Sequence, residues 1–175
     1  VHTNQEYGIH ETRRDQAVAR ALEAQGIEFH GYLDQLLFQP GSILTQSGSY
    51  FQVFSQFRRI CYNRLHMALP KLVARPEKQS PLNIQSDVIP KSVSGFAVPS
   101  DSLRALWPAG EDQARQRLAQ FADEQIHYYQ DERDLPAKPG TSQLSAYLAA
   151  GVISPRQCLH AALQSNNGEF ESGSP

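Results

Sequence analysis

Residues 129–157 read YQDERDLPAKPGTSQLSAYLAAGVISPRQ, and this stretch decides how the second half of the chain is built. Asp134-Leu135-Pro136 stops the helix that precedes it, because proline lacks the amide a helix needs and restricts the residue before it. Gly140 permits a tight turn. Thr141 or Ser142 is then expected to cap a short helix over Leu144–Ala150, closed by Gly151 at the usual glycine position after a helix. Ser154-Pro155-Arg156-Gln157 is a strong helix start: serine caps, proline suits the first turn, and glutamine completes a capping box. That helix is expected to run to about Gln164. The polar, Gly/Ser-rich tail from Ser165 to Pro175 reads as loop or disorder.

Upstream of the quoted stretch, Ala114, Leu118, Phe121, Ala122 and Tyr129 share one face, so 111–133 is also expected to be helical. Residues 70–110 carry six of the eleven prolines and hold no sustained period. So long a stretch without periodicity reads as a connection between two units. Residues 1–69 mix two signals. Thr12–Ala24 has helical spacing, with Thr12 and Asp15 placed as a capping box and Gly26 beyond the end. Ile27–Tyr32 alternates as a strand does. Tyr50, Phe54, Phe57, Cys61 and Leu65 then recur at three and four residues, with Ser47 or Ser49 before them as a cap. Core packing is the expected use of that stripe.

The bulk numbers exclude some classes. Over 175 residues the net charge is −2, with 40% hydrophobic and 19% charged residues. A DNA partner would therefore meet a local patch, not a global basic field. No apolar run is long enough to span a bilayer, and the start Val1-His2-Thr3-Asn4 is not a signal peptide. With Met67 the only methionine, the chain is expected to begin inside a longer protein. Cys61 and Cys158 suggest neither a disulfide framework nor a metal site; buried thiols are expected.

The chemistry concentrates around Gly140. Thr141, Ser142 and Ser145 bring up to three hydroxyls to a helix start, where free amides and the helix dipole favour a phosphate or diphosphate. Plain capping accounts for the same residues, and local spacing leaves both uses open. Arg133 has the planar fork that suits phosphate, yet Asp131, Glu132 and Asp134 surround it and a surface ion pair is the competing use. Tyr129 could be core, with its phenol reaching a buried acceptor. Trp107 beside Pro108 reads as a packing anchor.

Residues 129–157 resemble the photolyase/cryptochrome signature Y-x-x-x-R-[DN]-x-P-x-x-x-G-T-S-x-L-S-x-x-L-x-x-G-x-[IL]-S-[PV]-R over nearly thirty positions. Thr3-Asn4-Gln5-Glu6-Tyr7, Arg13-Arg14-Asp15 and Tyr50–Phe57 look like the end of the family's antenna domain. Ser154–His160 is most similar to bacterial class I cyclobutane pyrimidine dimer enzymes. The resemblance implies an α/β part followed by an all-α part. Residues 1–69 would be the C-terminal part of a Rossmann-like antenna domain, 70–110 the interdomain linker, and 111–175 the N-terminal part of a helical FAD-binding domain.

The same resemblance implies a carbon–carbon lyase of light-dependent DNA repair, acting on DNA that contains pyrimidine dimers. It would be a cytoplasmic monomer with no membrane partner. It places Tyr129, Thr141, Ser142, Gln143, Leu144 and Ser145 at FAD, with the Thr/Ser turn at the diphosphate, and Arg133 at DNA near the lesion. His10 and Glu11 match positions that touch a folate antenna, methenyltetrahydrofolate, although folate-binding members often carry Asn where His10 stands. The family's tryptophan chain, its residue facing flavin N5 and most of its dimer pocket have no counterpart in this sequence, so this internal fragment is expected to be inactive alone. Two other readings compete: a cryptochrome-type blue-light photoreceptor that binds FAD without repair, and a non-enzymatic helical binding module.

Overall fold

The computed structural model describes residues 1–170. The chain opens with a β–α–β unit: strand β1 (His2–Asn4), helix α1 (Ile9–Glu23) and strand β2 (His30–Tyr32). The strands are parallel, with His2 opposite His30, Thr3 opposite Gly31 and Asn4 opposite Tyr32. Parallel strands need a crossover, and α1 supplies it. The strand expected over 27–32 is shorter because its partner offers only three residues; Ile27, Glu28 and Phe29 lie beyond the pairing.

Helix α1 starts at Ile9 behind Gly8, earlier than Thr12, and no side chain caps it. The Thr12 amide already bonds the Gly8 carbonyl at 2.9 Å, so Thr12 lies inside the ladder and is no cap. The Asp15 carboxylate is taken instead by Arg14 at 2.7 Å, and Arg14 also holds Glu6 at 2.6 Å.

Helix α2 (Phe54–Met67) carries the aromatic stripe, again without a serine cap. Of the stripe, only Leu65 is buried; Tyr50 and Phe54 are exposed. This corrects the expectation of a packed core. Phe57, Cys61 and Leu65 instead form one wall of a groove of about 930 Å³, with Leu36 and Phe38 on one side and Leu159 and Leu163 on another. Tyr50 borders the same groove from the loop before the helix, and Phe54 is left outside it.

Residues 68–100 contain no helix or strand. Helix α3 (Asp101–Leu106) lies within the stretch expected as connector and is capped by Ser100, whose hydroxyl accepts from the Leu103 amide. Helix α4 (Glu111–Gln120) runs into a wide π turn (Phe121–Gln125), a tight 3-10 turn (Ile126–Tyr128) and helix α5 (Tyr129–Glu132). The single helix expected over 111–133 is thus interrupted. Helix α6 (Ser145–Ala149) is closed by Gly151 at φ +69°. Helix α7 (Pro155–Ser165) begins with the full capping box of Ser154 and Gln157. Of the polar tail expected as loop, residues 171–175 lie outside the described residues.

The small α/β part is thus followed by helices. Ala114, Leu144, Tyr147 and Ile153 form the helical core, with Trp107, Leu118, Leu148 and Cys158 packed around them. Helix α7 joins the two parts. The Arg156 guanidinium donates to Asp34 Oδ1 at 2.6 Å and to the Leu33 carbonyl, and His160 Nε2 donates to the Pro70 carbonyl at 2.6 Å. Among the described residues no helix is long and apolar enough to cross a membrane.

Candidate functional site

The loop between α5 and α6 is placed by one close approach. Gly140 is buried, and a Cβ there would stand 2.6 Å from Glu132 Cβ, 2.7 Å from its carbonyl carbon and 2.8 Å from its oxygen. Only a residue without a side chain lets the loop lie against the end of α5. Two turn bonds bring the chain there, from the Leu135 amide to the Glu132 carbonyl at 3.0 Å and from the Lys138 amide to the Leu135 carbonyl at 2.9 Å.

Beyond Gly140 the structure departs from simple capping. Gln143 has φ +51°, a left-handed backbone, and the helix begins only at Ser145, with Leu144 as its N-cap. Thr141 and Ser142 therefore precede the cap and do not serve as it. With five residues, α6 also has a weak dipole, so hydroxyls and nearby charge carry more of any anion affinity here than the helix end does.

Two adjoining cavities meet at this loop. A polar one of about 160 Å³ is lined by Thr141, Ser142 and Gln143 together with Arg117, Gln120 and Gln125. An apolar one of about 340 Å³ is lined by Tyr129, Ser142 and Leu144 together with Leu118, Phe121 and Leu148. Ser142 and Phe121 border both. Tyr129 meets Phe121 edge to face, with centroids 6.1 Å apart at 88°. Such a pair of compartments suits a ligand with a charged bridge and a flat apolar end.

The structure brings Tyr129, Thr141, Ser142, Gln143 and Leu144 together, while Ser145 is exposed and outside both linings. Arg133 is exposed, with its guanidinium carbon 5.7 Å from the Tyr129 ring centroid and its Nε 3.6 Å from Asp134. His10 and Glu11 sit in the first turn of α1, away from this loop in sequence. His10 is exposed and Glu11 half-buried, with its carboxylate folded against Gly8. Neither belongs to the lining of the 380 Å³ cavity nearby, which Gln5, Tyr7, Thr12 and Asp15 border.

Arg117 and Gln125 line the polar cavity although spacing singled out neither, and Phe121, which spacing placed on an apolar helix face, lines both cavities. Gln125 is four residues from Phe121 and so falls on the same helix face, a signal within reach of spacing. Trp107 is half-buried against the core, as a packing anchor would be, and its indole also donates to the Gln143 carbonyl at 3.4 Å. Cys61 and Cys158 are half-buried and not fully buried as expected, and this partial burial pushes both thiols up.

Residues 1–77 match the family model "DNA photolyase". Over 171 residues the chain is 34% identical to the deoxyribodipyrimidine photo-lyase of Escherichia coli (strain K12), covering 97% of this chain and 35% of that protein. The chain is thus similar to DNA photolyases along nearly its whole length. The deoxyribodipyrimidine photo-lyase of Vibrio cholerae is 33% identical over 178 residues, covering 99% of this chain and 37% of its own length. A crystal structure of a bacterial class III photolyase from Agrobacterium tumefaciens superposes with a TM-score of 0.70 at 28% identity, covering 94% of this chain and 35% of that one. A Synechocystis cryptochrome shares the fold, with a TM-score of 0.62 at 19% identity over 97% of this chain and 37% of that one. The chain spans about a third of the length of these photolyases and of the cryptochrome.

Proposed function

We propose that this chain is a member of the DNA photolyase family and serves light-dependent DNA repair as part of a deoxyribodipyrimidine photo-lyase. The convergence of Tyr129, Ser142 and Leu144 on one cavity, beside a polar one bordered by Thr141 and Gln143, carries this reading. Bound FAD would supply the electron that, on excitation of its reduced form, splits a flipped-out cyclobutane pyrimidine dimer and then returns.

The donor set fits that group. Thr141 and Ser142 offer hydroxyls to a diphosphate. Tyr129, Phe121 and Leu144 offer apolar surface to a ring. Ser145, at the first position of α6, adds a further hydroxyl. These residues bind and orient; none of them moves a proton or an electron in this reading. Arg133 would meet DNA phosphate near the lesion, held over the Tyr129 ring. At the start of α1, Glu11 would accept from the amino and amide donors of a folate antenna, with His10 beside it. Residues 1–69 would be the end of a Rossmann-like antenna domain, 70–110 the linker, and 111–175 the beginning of the FAD-binding domain. The protein would work as a cytoplasmic monomer.

The test is blue-light treatment of thymine-dimer DNA by the flavin-loaded protein that carries this sequence. Light-dependent loss of dimers is expected; bound flavin with no repair in light would favour the photoreceptor reading, and no flavin uptake would remove both. Ser142→Ala should weaken FAD binding by tenfold or more, since a hydrogen bond to a charged group is worth about 1.5–3 kcal/mol, and Ser145→Ala by less. Flavin absorbance after gel filtration checks both, and unchanged occupancy in Ser142→Ala would remove the diphosphate role. Arg133→Ala should weaken binding to dimer-containing DNA and flatten the salt dependence by about 0.9 in log–log slope, the contribution of one phosphate contact. An unaltered slope would take Arg133 off the phosphate.

A further inference from the structure

We infer that Arg117 is a positioning residue that fixes the Thr141–Ser145 loop through the side chain of Gln143, which serves as its strap. This rests on the flavin reading of that loop. The observation behind it is the left-handed backbone of Gln143, at φ +51°, which side-chain-bearing residues adopt only when their surroundings hold them there. Two bonds do the holding. Arg117 Nη1 donates to Gln143 Oε1 at 2.9 Å, and Trp107 Nε1 donates to the Gln143 carbonyl at 3.4 Å.

Arg117 is itself fixed on other sides. Its Nη2 donates to the Leu106 carbonyl at 2.6 Å, and its guanidinium carbon lies 5.7 Å from the ring centroid of Tyr147. Tyr147 is buried in the core and donates its hydroxyl to the Pro108 carbonyl at 2.9 Å. One planar fork therefore ties the segment before α4 to the loop after Gly140. Lysine, a single ammonium on a flexible stem, cannot meet both acceptors with the same geometry. The loop is thereby set before any ligand arrives, which spares binding the cost of ordering it.

The experiment combines FAD titration with hydrogen exchange at the Leu148, Ala150 and Val152 amides, which bond the Leu144, Ala146 and Tyr147 carbonyls. Arg117→Met should raise exchange at these amides tenfold or more and weaken FAD binding about tenfold, with Arg117→Lys between it and the parent. Adding Gln143→Gly to Arg117→Met should restore FAD affinity to within about threefold of the parent, because glycine takes the left-handed backbone unaided. Unchanged exchange in Arg117→Met overturns the inference whether or not flavin binds. Weakened FAD binding that Gln143→Gly fails to restore also overturns it, since Arg117 would then be touching the cofactor directly. If Arg117→Met does not fold, Gln143→Ala replaces it: faster exchange at Leu148, Ala150 and Val152 supports the strap, and parent-like exchange sinks it. A parent chain that takes up no FAD refutes the flavin reading alone and leaves the exchange result to judge Arg117.

Discussion

Gly140→Ala is expected to destabilise the chain by about 2–3 kcal/mol and to abolish flavin uptake. The added methyl would lie 2.6–2.8 Å from three atoms of Glu132, two of them backbone. A flexible side chain could swing away from such a contact, but the end of α5 cannot, so the loop itself must rise. Thr141, Ser142 and Gln143 rise with it, and both cavities lose their shared wall. Gly151→Ala is the matched control: it meets nothing within 4 Å, and its φ of +69° makes backbone conformation the whole expense, about 1 kcal/mol. Urea unfolding of the two variants checks the ranking. If the two lose equal stability, the steric account of Gly140 is wrong.

The second large effect is expected at the joint between the two parts. Arg156→Ala should cost about 2 kcal/mol, because it removes two charge-assisted bonds, to Asp34 and to the Leu33 carbonyl, from a side chain only 22% exposed. Exposed ion pairs contribute much less. A double-mutant cycle with Asp34→Asn should then return a coupling of about 1 kcal/mol. A loss below about 0.5 kcal/mol for Arg156→Ala would class the bridge with surface pairs. Hydrogen exchange should also show the His30–Tyr32 amides opening more readily in the variant, since α7 is what anchors the segment that follows β2.

How far the sequence could be read depends on how local each interaction is. The start of α7 was legible in four residues because Ser154 and Gln157 satisfy each other without outside help. The start of α1 was not, although Thr12 and Asp15 have the same kind of spacing: Arg14 competes for the Asp15 carboxylate, and the ladder begins at Gly8. The stripe from Tyr50 to Leu65 has the correct period, yet period says only that a helix has an apolar face, not how far its neighbours extend over that face. The loop after Gly140 was found through the family motif. The capping argument for it fails, since Gln143 interrupts the helical run and α6 starts later. Arg117 could not be read locally at all, because its acceptors, Leu106 and Gln143, lie 11 and 26 residues away.

The wide turn at Phe121–Gln125 and the tight one at Ile126–Tyr128 keep α4 and α5 from acting as one stiff rod. A regular helix ties every carbonyl to the amide four residues on. Here the stride changes twice, and the Ala122 carbonyl is met from outside by the Ser165 hydroxyl at 3.0 Å. Bending concentrates where such a ladder breaks. The direction of α5 is thus set by the Gly140 loop that packs against Glu132 and not by the axis of α4, whose Ala114 and Leu118 are seated on the core. Arg133 and the loop after Gly140 are then carried as one piece, and a change in the direction of α4 need not alter how they face each other.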